Sequence, residues 1–130
     1  DVPPCLDHVL AITALVQCLV HTISNEIDEG TFLSEYHPMM VEQNKWRATR
    51  YGADAALVSS TTFQQRSVPE MVEELTERLT PTAIELNCLA ELRSVLNLPA
   101  ASGARRQVEI YEATGSRRKV VEKLLERPAF

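Results

Sequence analysis

The sequence predicts a mainly α-helical chain, with about six helices and one short β-hairpin in a single segment over residues 1–130. Three observations carry this expectation. Apolar residues recur at helical spacing along most of the chain. The helical stretches are punctuated by proline-containing starts and by glycine or proline stops. Only one region, from Ala55 to Gln65, reads as a pair of short strands. A length of 130 residues supports one sizeable core and not two. Leu, Ile, Val and Phe supply about a quarter of the residues, above the ~20% level below which chains stay disordered.

Pro3 and Pro4 lead into a long apolar run from Leu6 to Ile27. That order places proline in the first turn of a helix over residues 4–28, where a missing N–H costs nothing. Its apolar positions, from Leu6, Val9 and Ile12 through Val16, Val20 and Ile27, cover most of the circumference. A helix apolar all round needs partners on several sides, so it is expected inside a larger body. Its most membrane-like stretch, Val9 to Ile23, is about 15 residues long and carries Thr13, Gln17 and His21. That is too short and too polar for a span of ~20 residues, and with no basic segment ahead of it no signal peptide is expected.

The remaining elements follow in order. Pro38 starts a second helix that runs to Tyr51, with Gly52 as a left-handed stop. Ala55 to Ser59 and Thr61 to Gln65 form a weak strand pair that turns near Ser59 and Ser60. Ser67, Pro69 and Glu70 make a capping box, in which the Glu70 side chain reaches back to the Ser67 amide, and open a third helix to about Leu79. Thr80-Pro81 repeats that logic as N-cap and first helical residue of a fourth helix, which runs to about Leu96 before Leu98-Pro99. Ser102-Gly103 opens a fifth helix to Thr114, Gly115 stops it, and Ser116 caps a sixth that ends near Arg127, before Pro128.

Charge and composition exclude several functions. Thirteen Lys plus Arg against eighteen Asp plus Glu leave a net charge of -5, the wrong sign for grasping phosphate backbones, so no nucleic-acid partner is expected. Cys5, Cys18 and Cys88 are odd in number and lack CxxC spacing, which argues against a disulfide framework or a zinc site and for a reducing cytoplasm. His8 and His21 lie thirteen positions apart on an apolar helix and His37 stands in a loop, so no metal ligands are assigned. Glu73, Glu74, Glu122 and Glu126 read as solvated helix faces, and Arg117-Arg118-Lys119 as a surface patch. With no phosphate-cradling glycine loop and no nucleophile elbow, no catalytic residue is assigned either.

Residues Asn44 to Gly52 are the unusual stretch, holding the single tryptophan, two arginines, a tyrosine and an amide. At 100° per residue Asn44, Arg47, Ala48 and Tyr51 share one helix face, and Trp46 and Arg50 share a neighbouring one. Guanidinium groups at i and i+3 can converge on a carboxylate or a phosphate, with the small Ala48 leaving room for it. The plainer reading is that Arg47 and Arg50 pair with acids such as Glu42 or Asp54, and that Trp46 and Tyr51 belong to the core. Spacing alone leaves both open.

The string EQNKWRATRYGADAALV, preceded by Asp1-Val2-Pro3-Pro4 and the apolar helix, resembles the C-terminal third of the carboxylate-amine ligases of the glutamate-cysteine ligase type 2 family. Asn44, Ala48, Arg50, Tyr51 and Gly52 match that family's N-x-x-x-A-x-R-Y-G signature, and Asp1 matches the last position of an Arg-x-x-Asp motif whose arginine lies upstream. The resemblance implies the C-terminal segment of an α+β glutamine-synthetase-like fold. It also implies chemistry in which ATP and Mg2+ activate a small-molecule carboxylate as an acyl phosphate and an amine displaces the phosphate. The family's metal-binding carboxylates and histidines sit in its N-terminal two thirds, so this segment alone is expected to be inactive and to need that part in cis or as a separate chain. The start at Asp1 rather than Met agrees with an upstream piece. Arg50 is the first candidate for an anion contact, to nucleotide phosphate or substrate carboxylate, followed by Arg47 and Asn44, with Trp46 and Tyr51 as packing residues. The rival expectation is a non-catalytic helical interaction or oligomerisation domain that uses the apolar helix for a partner or for itself, and a lesser one is an anion sensor built on Arg47 and Arg50.

Overall fold

A computed structural model describes residues 6–32, 37–59, 62–100 and 103–126. Asp1, Pro3, Pro4, Cys5, Ser60, Thr61, Ser102, Arg127 and Pro128, on which expectations were placed, lie outside the described residues. The architecture is mainly α, with six α-helices and a two-stranded antiparallel hairpin.

The core is a three-helix arrangement. Helix α1 (Leu6–Asp28) turns the small residues Ala11, Ala14 and Cys18, at the helical spacing i, i+3, i+7, towards α3 (Val68–Glu85) and α4 (Leu89–Ser94). Leu79 and Ala83 of α3, Leu92 of α4 and Val95 of the following 3₁₀ turn close the cluster. Full burial of Leu79 and of Leu92 contributes about 1.5–3 kcal/mol each. Two polar contacts tie α3 to α1. The Thr22 and Thr82 hydroxyls meet at 2.7 Å, and the Arg78 Nη2 group bridges both carboxylate oxygens of Glu26 at 2.7 and 2.9 Å.

The other side of α1 is bare. Leu6, Val16, Val20 and Ile27 are all more than half exposed, so the all-round apolar helix is covered on one side only by the described residues. At 23 residues α1 is longer than the Val9 to Ile23 stretch, and among the described residues it is the one helix long and apolar enough to span a bilayer. One stripe of it, with Ala11, Ala14 and Cys18, packs on α3 and α4.

Two expectations are corrected by long-range structure. Thr80-Pro81 does not start a helix, because α3 runs straight through it to Glu85. Pro81 and Glu77 are both exposed, so the ring lies outside the core, on a side of α3 that meets water. The break comes later, at Asn87, whose positive φ of 54° ends α3 while the Cys88 N–H donates to the Ala83 carbonyl at 2.9 Å. The second strand is likewise displaced. Strand β1 (Ala56–Val58) pairs with β2 (Gln65–Ser67) in the register Ala56↔Ser67, Leu57↔Arg66, Val58↔Gln65. Phe63, at φ 58°, belongs to the turn, so the expected strand over Thr61 to Gln65 slides towards α3.

Ser67 therefore ends β2 and caps α3 at once. Its hydroxyl accepts from the Glu70 N–H at 3.4 Å and its own N–H donates to Glu70 Oε2 at 2.9 Å, which completes the capping box. Helices α5 (Gly103–Thr114) and α6 (Arg117–Leu125) form a helical hairpin, broken at Gly115 with φ 62° and restarted by the Ser116 hydroxyl, which accepts from the Lys119 N–H.

Candidate functional site

Helix α2 (Pro38–Tyr51) carries the unusual stretch. Pro38 sits in its first turn, and Gly52 ends it with a positive φ of 58° while donating its N–H to the Ala48 carbonyl. With ψ at -133° Gly52 leaves the left-handed helical well for a conformation that suits glycine best. A 3₁₀ turn (Gly52–Asp54) then folds the chain back, so β1 runs beside the helix that precedes it.

Alternate residues of a strand present their backbone groups to the same edge, and Ala56 and Val58 face away from β2 towards α2. Asn44 meets Val58 there. Its Nδ2–H donates to the Val58 carbonyl at 2.8 Å, and the Val58 N–H donates to Oδ1 at 2.8 Å. One turn on, Arg47 Nη1–H donates to the Ala56 carbonyl at 2.8 Å. Two of the three candidate site residues thus satisfy the free edge of a strand, as a neighbouring strand would.

Arg50 is placed differently. Its guanidinium carbon lies 6.0 Å from the Trp46 ring centre and 5.8 Å from that of Tyr51, and the two rings meet edge to face at 6.2 Å and 84°. Among the described residues Arg50 has no hydrogen bond and no ion pair. The acids expected to neutralise it are taken: Glu42 pairs with Lys45 at 2.9 Å and Asp54 with Arg105 at 3.3 Å. Trp46 and Tyr51, expected in the core, are 59% and 52% exposed. The reason is architectural, since α2 packs on β1 and the 3₁₀ turn and no residue of it is fully buried.

The two guanidinium groups border different hollows. Arg50 lines a pocket of about 540 Å³ between the C-terminal end of α2 and α5, whose other walls include Thr49, Asp54, Arg105 and Glu109. Arg47 lines a neighbouring one of about 370 Å³ with Trp46, Ala56 and Gln65, and Tyr51 and Asp54 border both. Arg105, on α5, is the cation that pairs with Asp54. It lies 51 residues from Asp54, and no local pattern signals their approach. No group of three or more His, Cys, Asp or Glu side chains among the described residues could hold a metal ion.

Comparison with known proteins adds a family. Residues 1–126 match the family described as glutamate-cysteine ligase family 2. A protein of Clavibacter sepedonicus, provisionally named glutamate–cysteine ligase 2, is 39% identical over 123 residues, which cover 93% of this chain and 32% of that protein. One from Rubrobacter xylanophilus, provisionally named glutamate–cysteine ligase 2-1, is 43% identical over 130 residues, covering 96% and 34%. A glutamate–cysteine ligase 2 of Mycobacterium ulcerans, also provisionally named, is 36% identical over 117 residues, covering 88% and 30%. The chain spans about a third of the length of these relatives.

Proposed function

Because the chain belongs to glutamate-cysteine ligase family 2, we propose that it is the C-terminal helical part of an ATP-dependent carboxylate-amine ligase, which forms an amide through an acyl phosphate. The observation that carries this reading is the placement of Arg50. It is the signature arginine, it has no acidic partner among the described residues, and it borders an open pocket. Phosphoryl transfer followed by attack of an amine gathers negative charge on phosphoryl and carboxylate oxygens, and a planar guanidinium fork can neutralise it. Seating over Trp46 and Tyr51 orients the group while leaving its N–H donors available.

Asn44 and Arg47 serve the same site from behind. By holding β1 they set the rotation of α2, and with it the direction in which Arg50 projects. Arg47 keeps further donors for a ligand in its own pocket. Mg2+ does not fit the described residues, which supply no ligand set, so no step is assigned to it here. In this reading the metal, most ATP contacts and the rest of a glutamine-synthetase-like fold come from an N-terminal part that also covers the bare side of α1. The substrates are a small-molecule carboxylate and an amine, with no nucleic acid or membrane involved. The cytoplasm is the proposed compartment, in keeping with an odd number of cysteines that lack CxxC spacing.

The test is Arg50→Ala in the complete ligase, followed by carboxylate- and amine-dependent release of phosphate from ATP. The expected result is a fall in kcat/KM of ~10²-fold or more at unchanged Tm. Unchanged kinetics with a lowered Tm would overturn the assignment. A second reading, a non-catalytic interaction or oligomerisation domain, draws on the exposed Val16, Val20 and Ile27 of α1. Native mass spectrometry separates the two. Co-migration with a larger chain supports the ligase, and association only with copies of itself supports the oligomerisation domain.

A further inference from the structure

We propose that Cys18 and Cys88 form a disulfide-forming site that fastens α1 to the start of α4 when the protein meets a small-molecule disulfide. The proposal is independent of the ligase reading. The two Sγ atoms stand 3.5 Å apart although the residues are 70 positions apart in sequence. A disulfide needs ~2.05 Å, so the sulfurs must close by roughly 1.5 Å. Both are free thiols.

Their surroundings divide the labour. Cys88 is only partly buried and lies between the left-handed Asn87 and the first residue of α4, at an edge of the core that solvent reaches. Cys18 is fully buried among Ala11, Leu79 and Leu92. Burial, followed by its hydrogen bond with Cys88, pushes the Cys18 thiol up to about 11. Cys88 is therefore the sulfur that meets an external reagent, and Cys18 the one that resolves the product.

The chemistry balances as a pair of exchanges. The Cys88 thiolate attacks one sulfur of a disulfide RSSR, forming a mixed Cys88–S–S–R and releasing RS⁻, which takes up the proton Cys88 gave up. Cys18, after losing its proton, attacks the Cys88 sulfur and expels the second RS⁻, which is protonated in turn. Two protein thiols and one RSSR yield one protein disulfide and two RSH; the protein pair is oxidised and RSSR reduced. Burial disfavours the Cys18 thiolate, which slows this second step.

The experiment incubates the native protein with millimolar glutathione disulfide, quenches it in acid, alkylates the remaining thiols and maps the peptides by mass spectrometry. The expected product joins the Cys18 and Cys88 peptides with the loss of two hydrogen atoms. It should raise Tm by about 5 °C or more by closing a long loop, and dithiothreitol should reverse both effects. Cys5→Ser should retain the link and Cys88→Ala should lose it, while mapping of the unsubstituted protein decides the matter should either variant not fold. A persistent mixed disulfide on Cys88, two intact alkylated thiols, or a link that uses Cys5 would each overturn the proposal.

Discussion

The Asn44 side chain and the Val58 backbone exchange two hydrogen bonds of 2.8 Å, one in each direction. An asparagine carboxamide has the same donor and acceptor as a peptide group, so Asn44 stands in for a missing third strand at the edge of β1. With Asn44 and Arg47 turned towards that edge, helical geometry turns Trp46 and Arg50 away from it. A structural contact thereby decides where the signature arginine projects.

Replacing Asn44 tests this directly. Asn44→Ala leaves the Val58 N–H and carbonyl without a partner at a half-buried position and should cost about 1–3 kcal/mol in urea unfolding. Asn44→Asp keeps an acceptor for the Val58 N–H but sets a carboxylate oxygen against the Val58 carbonyl, so it should not restore the loss. A full rescue by aspartate would show that the donated bond contributes nothing.

Arg50 carries the opposite expectation. Its described contacts are exposed ring faces, and cation–π pairs at such sites contribute roughly 0.5–1 kcal/mol. Arg50→Ala should therefore leave the urea midpoint nearly unchanged. A loss of several kcal/mol would assign Arg50 to the fold rather than to a ligand.

Pro81 is an interior helix proline on an exposed side of α3. Pro81→Ala restores the bond to the Glu77 carbonyl and should stabilise the protein by about 1–2 kcal/mol, part of the usual proline penalty being offset by the freer unfolded chain. A lowered denaturation midpoint would mean that the proline sets a bend the core requires.

The capping box gives a pH dependence with a definite sign. Hydrogen bonds from the Ser67 backbone, and then from its hydroxyl, hold the Glu70 carboxyl below its ordinary value of 4.5. A carboxylate favoured in the folded state adds stability that is complete above the unfolded pKa and is lost as pH falls through the lower folded value. The Tm gap between the native protein and Glu70→Gln should thus be flat above about pH 6 and close as the medium is acidified below 4.5. A gap that persists in acid would assign the effect to the neutral hydrogen bonds alone.

What the sequence determined by itself rests on bonds that close within a few residues. Pro38 and Gly52 bound α2, Ser67 with Glu70 opens α3, and Gly115 with Ser116 separates α5 from α6, because each cap is completed by groups no more than four positions away. The signature from Asn44 to Gly52 is legible in the same local way and leads to the family. Tertiary structure alone decided the rest. Whether Pro81 breaks a helix depended on which side of α3 meets water, and β2 took its register from the Phe63 turn and the start of α3. The three candidate site residues were separated by an edge strand that one-dimensional spacing does not show, and the meeting of Cys18 with Cys88 and of Asp54 with Arg105 joins positions 70 and 51 apart. Local hydrogen bonds write themselves into neighbouring residue types, whereas burial, exposure and long-range approach exist only once the helices have packed.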